Sequence, residues 1–319
     1  MDAPKLNLKR FLGTIVFCVF LIVIADICKR HLSDEVTGTI IVNGKFKNSI
    51  TSSNNFATLT SETDNQITSE GTIEFLGYSK IEIPVESVYT GPLVLINNEH
   101  QPNGIFMSMA SLAEVKNEFY NLRSDDIIFN IEASDALNNM MTDYNVNTGN
   151  SNFVVYNTTE IYKEDDAVYN TDYAESVSGY SLDLAILSKS GNFIEYDGCD
   201  TESWIIENCY KYGFIVRYEN DKEEITENEA SVYHLRYVGK VHSAIMHEKN
   251  LCLEEYLDFL RPYMIDTQKF NYTLDGTDYE IYYTPANSNG DITSLRVPVT
   301  GSYTISGNNY DGFIVTAIK

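Results

Sequence analysis

The chain is short of cations: across 319 residues there are 22 Lys and Arg against 46 Asp and Glu, for a net charge of −24. Such a field repels polyanions, and no basic tract exists that could follow a phosphate backbone, so nucleic acid is excluded as a partner. Cysteine is sparse and follows no framework spacing. Cys18 and Cys28 fall in or beside an apolar N-terminal stretch, which leaves Cys199, Cys209 and Cys252, with no CxxC pair and no Cys/His cluster for a structural zinc. If TESWIIENCYK (residues 201–211) is helical, Cys199 and Cys209 lie roughly 13 Å or more apart, beyond the roughly 7 Å a disulfide tolerates. Free thiols packed as small apolar groups are expected. No internal repeat is present.

One long hydrophobic run does exist. Residues 11–27, FLGTIVFCVFLIVIADI, are apolar until Asp26 and are flanked by Lys5, Lys9 and Arg10 before and Lys29 and Arg30 after. At about 1.5 Å per residue the run spans roughly 25 Å, enough to cross a bilayer once the flanking cations reach outward. A cleaved signal peptide fits less well, because Cys28, Lys29 and Arg30 stand where a small-residue cleavage site belongs. The expected organisation is a cytoplasmic tail at 1–10, a membrane helix at 11–27 and a polar stalk at 28–80, rich in Ser, Thr and Asn, with a strand at TGTIIVNG (37–44). A compact domain follows at 81–263.

Within that domain SLAEVKNEFYNL (111–122) and SDALNNMMTDY (134–144) carry apolar residues at helical spacing, the second with Ser134 as N-cap. Strands are expected at FVVYN, YSLDLAIL, FIVRY and VYHLRYVG, a helix at 201–211 ending before Gly213, and two more helices over about 240–262. Trp204 and its neighbouring Tyr residues read as helix-to-sheet packing, and the acidic run DKEEITENE as a solvated loop. From 268 to 319 the chain alternates and is rich in Tyr, with Asp275-Gly276 as a hairpin turn, which predicts a small all-β domain. The fold class expected is α+β, a central antiparallel sheet flanked by helices.

Residues 175–261 carry a resemblance. ESVSGYSLDL, SWIIENCYKYGFIVRY and EITENEASVYHLRYVGKVHSAIMHEKNLCLEEYLDFL are similar in order and spacing to the VanY-type D-alanyl-D-alanine carboxypeptidases, zinc enzymes of the bacterial envelope with a LAS-type core. The similarity reaches back to LVLINNEH (93–100) and so covers half the chain or slightly more. The β tail resembles one that follows such domains in Gram-positive bacteria. The resemblance implies a motif Ser-x-His-x-x-Gly-x-x-x-Asp, whose His and Asp bind zinc, and a motif Glu-x-x-His, whose His is the third ligand and whose Glu takes the proton of the zinc-bound water.

This sequence departs from both motifs. Gly179, Asp183 and His234 match, but Ala174 stands at the position of the Ser, Ser176 at that of the His, and Ser231 at that of the Glu. The family's Arg that grips the substrate carboxylate has no counterpart: no Arg lies between Arg123 and Arg217, and Thr158 or Thr159 stands near its place. Glu175, beside the lost His, is a candidate substitute ligand, although neighbouring side chains on extended backbone face opposite ways. His242, which also has a family counterpart, reads as structural.

A general base contributes roughly 10² to 10⁴ in rate, and even residues behind the ligands of a zinc site are worth about 10- to 100-fold. The expectation is therefore that no catalytic zinc binds unless the site is rescued, with Asp183 and His234 as remnant ligands. The chain then reads as a membrane-anchored, extracytoplasmic pseudoenzyme that binds a peptidoglycan stem peptide or another envelope protein. Two alternatives stand beside it: an active zinc D,D-carboxypeptidase with an unorthodox metal site, and a structural or adhesive surface protein.

Overall fold

The computed structural model describes residues 77–103, 108–156 and 175–319. The cytoplasmic tail, the membrane helix, nearly all of the stalk, Ala174 and Thr158 and Thr159 lie outside the described residues. Among the described residues no helix is long and apolar enough to cross a membrane.

The centre is a six-stranded sheet. Its main path runs β3 (Asn121–Leu122), β5 (Phe153–Tyr156), β6 (Ser181–Leu187), β9 (Ser231–Tyr237) and β8 (Phe214–Tyr218), with β7 (Phe193–Glu195) also paired to β6. All pairs are antiparallel except β3 with β5. The strands form where the sequence places runs of Val, Ile, Leu, Phe and Tyr, and their burial on both faces explains why those runs are nearly continuous. Phe153, Val155, Leu182, Leu184, Phe214, Val216 and Leu235 face helix α1 (Ile131–Thr148) and α2 (Ser203–Asn208), which continues into a helical turn at Cys209–Tyr212. The opposite face meets α3 (Lys240–Lys249) and α4 (Leu253–Leu260) through Ile215 and Val238. Trp204 lies against the first of these cores, 5.9 Å from the Tyr144 ring.

The C-terminal strands are built into the same body. β10 (Phe270–Leu274), β11 (Thr277–Pro285), β14 (Gly312–Ile318) and β13 (Tyr303–Gly307) form a four-stranded sheet, while β12 (Ile292–Pro298) pairs with β1 (Tyr78–Pro84). Ile281, Tyr283 and Ile314 share one apolar cluster with Leu93, Ile245 and Leu257, and buried His242 of α3 bridges the Tyr256 hydroxyl (2.7 Å) and Thr316 Oγ1 (3.0 Å). The segment expected as a separate β domain therefore shares its core with the main domain. The Asp275-Gly276 turn has both residues at positive φ, 50° and 77°, as a tight hairpin requires.

Other local expectations are corrected. Helix α1 begins three residues before Ser134: Asn130 is the N-cap, its Oδ1 accepting from the backbone N–H of Glu132 and Ala133. Ser134 instead donates to the Asn130 carbonyl from inside the helix at 2.8 Å. Over 111–122 only Leu112–Val115 forms a helical turn, because Phe119 and Tyr120 are drawn into the α1-facing core and Asn121–Leu122 extends as a strand. A short strand β2 (Met109–Ser111) pairs with β4 (Ile128–Asn130) to seat the start of α1. Cys209 and Cys252 are buried free thiols as expected, but Cys199 is exposed.

Replacing Asn130 with Ala should cost about 1–2 kcal/mol, the usual worth of a side-chain cap, whereas Ser134→Ala should cost no more than about 1 kcal/mol. Urea unfolding of the two variants would reveal the order, and equal costs would contradict the Asn130 cap.

Candidate functional site

Residues 175–180 turn tightly before β6. Ser178 Oγ donates to the Glu175 carbonyl at 2.6 Å, and the Gly179 N–H donates to the Ser176 carbonyl at 2.9 Å. Gly179 takes φ +71°, and a Cβ there would lie 2.1 Å from Met109 Cε, so both conformation and space require glycine. Alternation along β6 and β9 then sends Ser181, Asp183, His234 and Arg236 to one face, with Asp183 directly opposite His234 and Ser181 opposite Arg236.

His234 is the hub of that face. Its Nδ1 lies 2.6 Å from Asp183 Oδ1 and its Nε2 lies 3.0 Å from Glu175 Oε2, while the Tyr218 ring stacks on it at 5.2 Å. Both neighbours are carboxylates, which only accept, so the ring carries a proton on each nitrogen. Burial alone would favour the neutral ring, but the hydrogen bonds and charges of Asp183 and Glu175 outweigh it and raise the pKa to about 10.

Glu175 is fully buried and is held from several sides. Ser181 Oγ donates to Oε2 at 3.0 Å, Arg217 Nε donates to Oε1 at 2.8 Å, and Arg236 Nη1 pairs with Oε1 at 3.1 Å. Burial pushes the Glu175 carboxyl up, yet the two guanidiniums and His234 hold it well below the usual carboxylate range. Arg217, placed at an irregularity of the β8–β9 ladder between Val216 and Tyr218, reaches on to Glu254 in the first turn of α4 with a bidentate pair at 2.9 and 2.6 Å. Three carboxylates (Glu175, Asp183, Glu254) thus balance three cations (His234, Arg217, Arg236) in one buried network.

The structure brings Asp183 and His234 together and adds Glu175, but on the opposite ring nitrogen from Asp183. Glu175 therefore does not stand beside Asp183 as a substitute ligand; its oxygens are already taken by Ser181, His234 and the two Arg. Ser176 is buried in the turn, and Ser231 is buried on β9 opposite Tyr218, its hydroxyl without a hydrogen-bond partner among the described residues. No group of three or more His, Cys, Asp or Glu side chains among the described residues is arranged to hold a metal ion. One carboxylate, one imidazole and two alcohols are a poor match to a three-ligand zinc centre with a carboxylate base.

Sequence reasoning missed Arg217, Arg236 and Glu254. The signal was present, since a charge inside the buried runs FIVRY and HLRYVG needs a buried partner.

Acid sensitivity follows from Glu175 and from the buried His242 of α3. Glu175 is depressed in the folded state, so its contribution is present above pH 4.5 and is lost as pH falls toward its folded value. His242 is lowered by burial to about 3. The unfolded chain takes up that proton near pH 6.5, so stability declines from there down to about pH 3, at up to about 1.4 kcal/mol per pH unit. His242→Gln should flatten the slope of unfolding free energy between pH 6.5 and 4.5, and an unchanged slope would refute the assignment.

Comparison with known proteins places this geometry. A family model described as VanY, D-alanyl-D-alanine carboxypeptidase, matches residues 156–240. A D-alanyl-D-alanine carboxypeptidase of Enterococcus faecium is 49% identical over 113 residues, covering 35% of this chain and 35% of that protein. One from Enterococcus faecalis (strain ATCC 700802 / V583) is 44% identical over 61 residues, 19% of this chain and 23% of its own length. The match thus spans about a third of the first of these relatives and less of the other. Among solved structures, the vancomycin resistance D,D-dipeptidase VanXYg, in complex with a D-Ala-D-Ala phosphinate analogue, superposes with a TM-score of 0.64 at 27% identity, covering 76% of this chain and 99% of that one. The similarity in structure extends well beyond the motif segment and includes more of the chain than the sequence motifs alone implied. The 156–240 segment is thus similar to the VanY-type D-alanyl-D-alanine carboxypeptidases, and the mixed α/β fold around it is similar to that of VanXYg.

Proposed function

We propose that this protein is a catalytically silent member of its family: a domain displayed on the outer side of a bacterial membrane by the helix at 11–27, acting there as a cell-envelope binding or regulatory module. The observation that carries the reading is the joint replacement of two groups the chemistry needs. Ser176 and Ser231 occupy the positions of a metal-binding His and the proton-accepting Glu, while the two retained residues, Asp183 and His234, bond to each other at 2.6 Å. An alcohol is a weak zinc ligand and cannot take a proton from water near neutral pH. Loss of the base alone removes roughly 10² to 10⁴ in rate.

The relatives' names supply the ligand class. They act on D-Ala-D-Ala termini, so the ancestral cleft suits a peptidoglycan stem peptide, and a peptide of that kind or an envelope protein is the partner to seek. Arg217 and Arg236 offer no free cation for a terminal carboxylate, being fully buried and committed to Glu175, Glu254 and backbone carbonyls. Any retained stem-peptide binding should therefore be weak.

Purified full-length protein, loaded with zinc and then dialysed, should hold well under one zinc per chain and release no D-Ala from a pentapeptide stem. The double variant S176H/S231E should gain stoichiometric zinc, because Asp183 and His234 already stand side by side on adjacent strands. One zinc per wild-type chain with chelator-sensitive D-Ala release would return the protein to the active carboxypeptidases. The anchor has its own test: the full chain should sediment with membranes and resist high-salt extraction, and deleting residues 11–27 should release it.

A further inference from the structure

The C-terminal sheet is wired to the buried charge network through one short segment of chain. Arg236 is fully buried, and its Nη2 donates to two backbone carbonyls, Pro92 O at 3.1 Å and Val94 O at 2.9 Å. The far side of the same segment is gripped by the end of β13 and the turn that joins it to β14. Ser306 Oγ accepts from the Leu93 N–H at 3.0 Å, and Asn308 O accepts from the Leu95 N–H at 3.0 Å. Asn309, buried and at φ +54°, donates its Nδ2 to Leu95 O at 2.7 Å and Gln101 O at 3.0 Å, while its backbone N–H donates to Val88 O at 2.8 Å.

The approach is close enough to depend on two glycines. A Cβ on Gly91 would lie 2.4 Å from Ser306 Oγ, and one on Gly307 would lie 2.1 Å from Val88 O. Residues 88–96 are thus pressed between the tail on one side and β9 on the other.

We propose that the 306–312 segment, the end of β13 and the turn into β14, is a positioning element of the buried site, with Ser306 and Asn309 fixing the 91–96 backbone whose carbonyls hold the Arg236 guanidinium against Glu175. The tail then serves the site directly. Without the clamp, Pro92 O and Val94 O are free to drift, and Arg236 loses two of the acceptors that set its plane. Arg217 makes an internal contrast, because it reaches the same carboxylate but is held by Glu254 of α4, and none of its described hydrogen bonds goes to the 91–96 segment. The inference concerns how the site is held and is independent of whether the protein turns over a substrate.

The test compares the two guanidiniums by NMR in the ¹⁵N-labelled full chain. Asn309→Gly removes the amide without straining the left-handed backbone, and Ser306→Ala removes the hydroxyl. In each variant hydrogen exchange at Arg236 Nη2, the nitrogen bonded to Pro92 O and Val94 O, should quicken by about tenfold or more, with the Arg217 Nη groups changing by less than about twofold, the signature of a local opening. Equal acceleration at both Arg would mean general loosening, and no change at either would mean that the turn does not hold the site; both overturn the proposal. If one variant fails to fold, the other decides.

Discussion

A single carboxylate, that of Glu175, is the point on which the centre of the molecule turns. Fully buried, it would be ruinous alone; surrounded by Arg217, Arg236, His234 and Ser181 it becomes the shared counter-ion of three strands and the turn that precedes them. Replacing such a network with apolar groups is often harmless to stability, whereas deleting one member leaves an uncompensated charge at a cost of about 3–5 kcal/mol. The network therefore constrains sequence more than it adds stability: once present, no member can leave by itself. Its reach explains the order around it, since Glu254 places the first turn of α4 and the 91–96 carbonyls place the N-terminal segment.

This constraint separates two kinds of residue that an active metallopeptidase would keep together. A ligand or base that touches only metal and substrate contributes nothing to the folded chain when both are gone, and Ser can stand in its place. Residues that also satisfy buried charge cannot drift in that way. Asp183 and His234, at the positions of the family's ligands, also satisfy each other across β6 and β9. On the reading proposed above, retention of Asp183 and His234 beside Ser176 and Ser231 is what packing physics alone would leave behind.

Much of the fold could be read from the sequence because β-branched and aromatic runs were bounded by turn residues: FVVY, SLDLAIL, FIVRY and the strand through His234 all lie where their composition put them. The boundaries that were misread share a cause. Asn130 caps α1 because β4 delivers it there, and 116–122 leave the helix because Phe119 and Tyr120 find the core, both decided by distant partners rather than local periodicity. The tail looked separate because its alternation and Tyr content differ from the rest, yet its inner face completes the apolar cluster under α3 and α4. At the site, the motif positions were legible, but the placement of Glu175 behind His234 was not. Alternation predicted only that it would point away from Ser176, and which ring nitrogen it meets depends on the fold of the turn and on two arginines far along the chain.

The pairing of β1 with β12 bears on how the domain comes into being. Tyr78 opens the first described strand, and its hydroxyl bonds Glu280, 202 positions later. Closing a loop of that size is entropically costly and slow compared with local contacts. During synthesis the first described strand must wait, edge unpaired, until the ribosome has delivered β12, so this pairing forms only after the central sheet between them has been made.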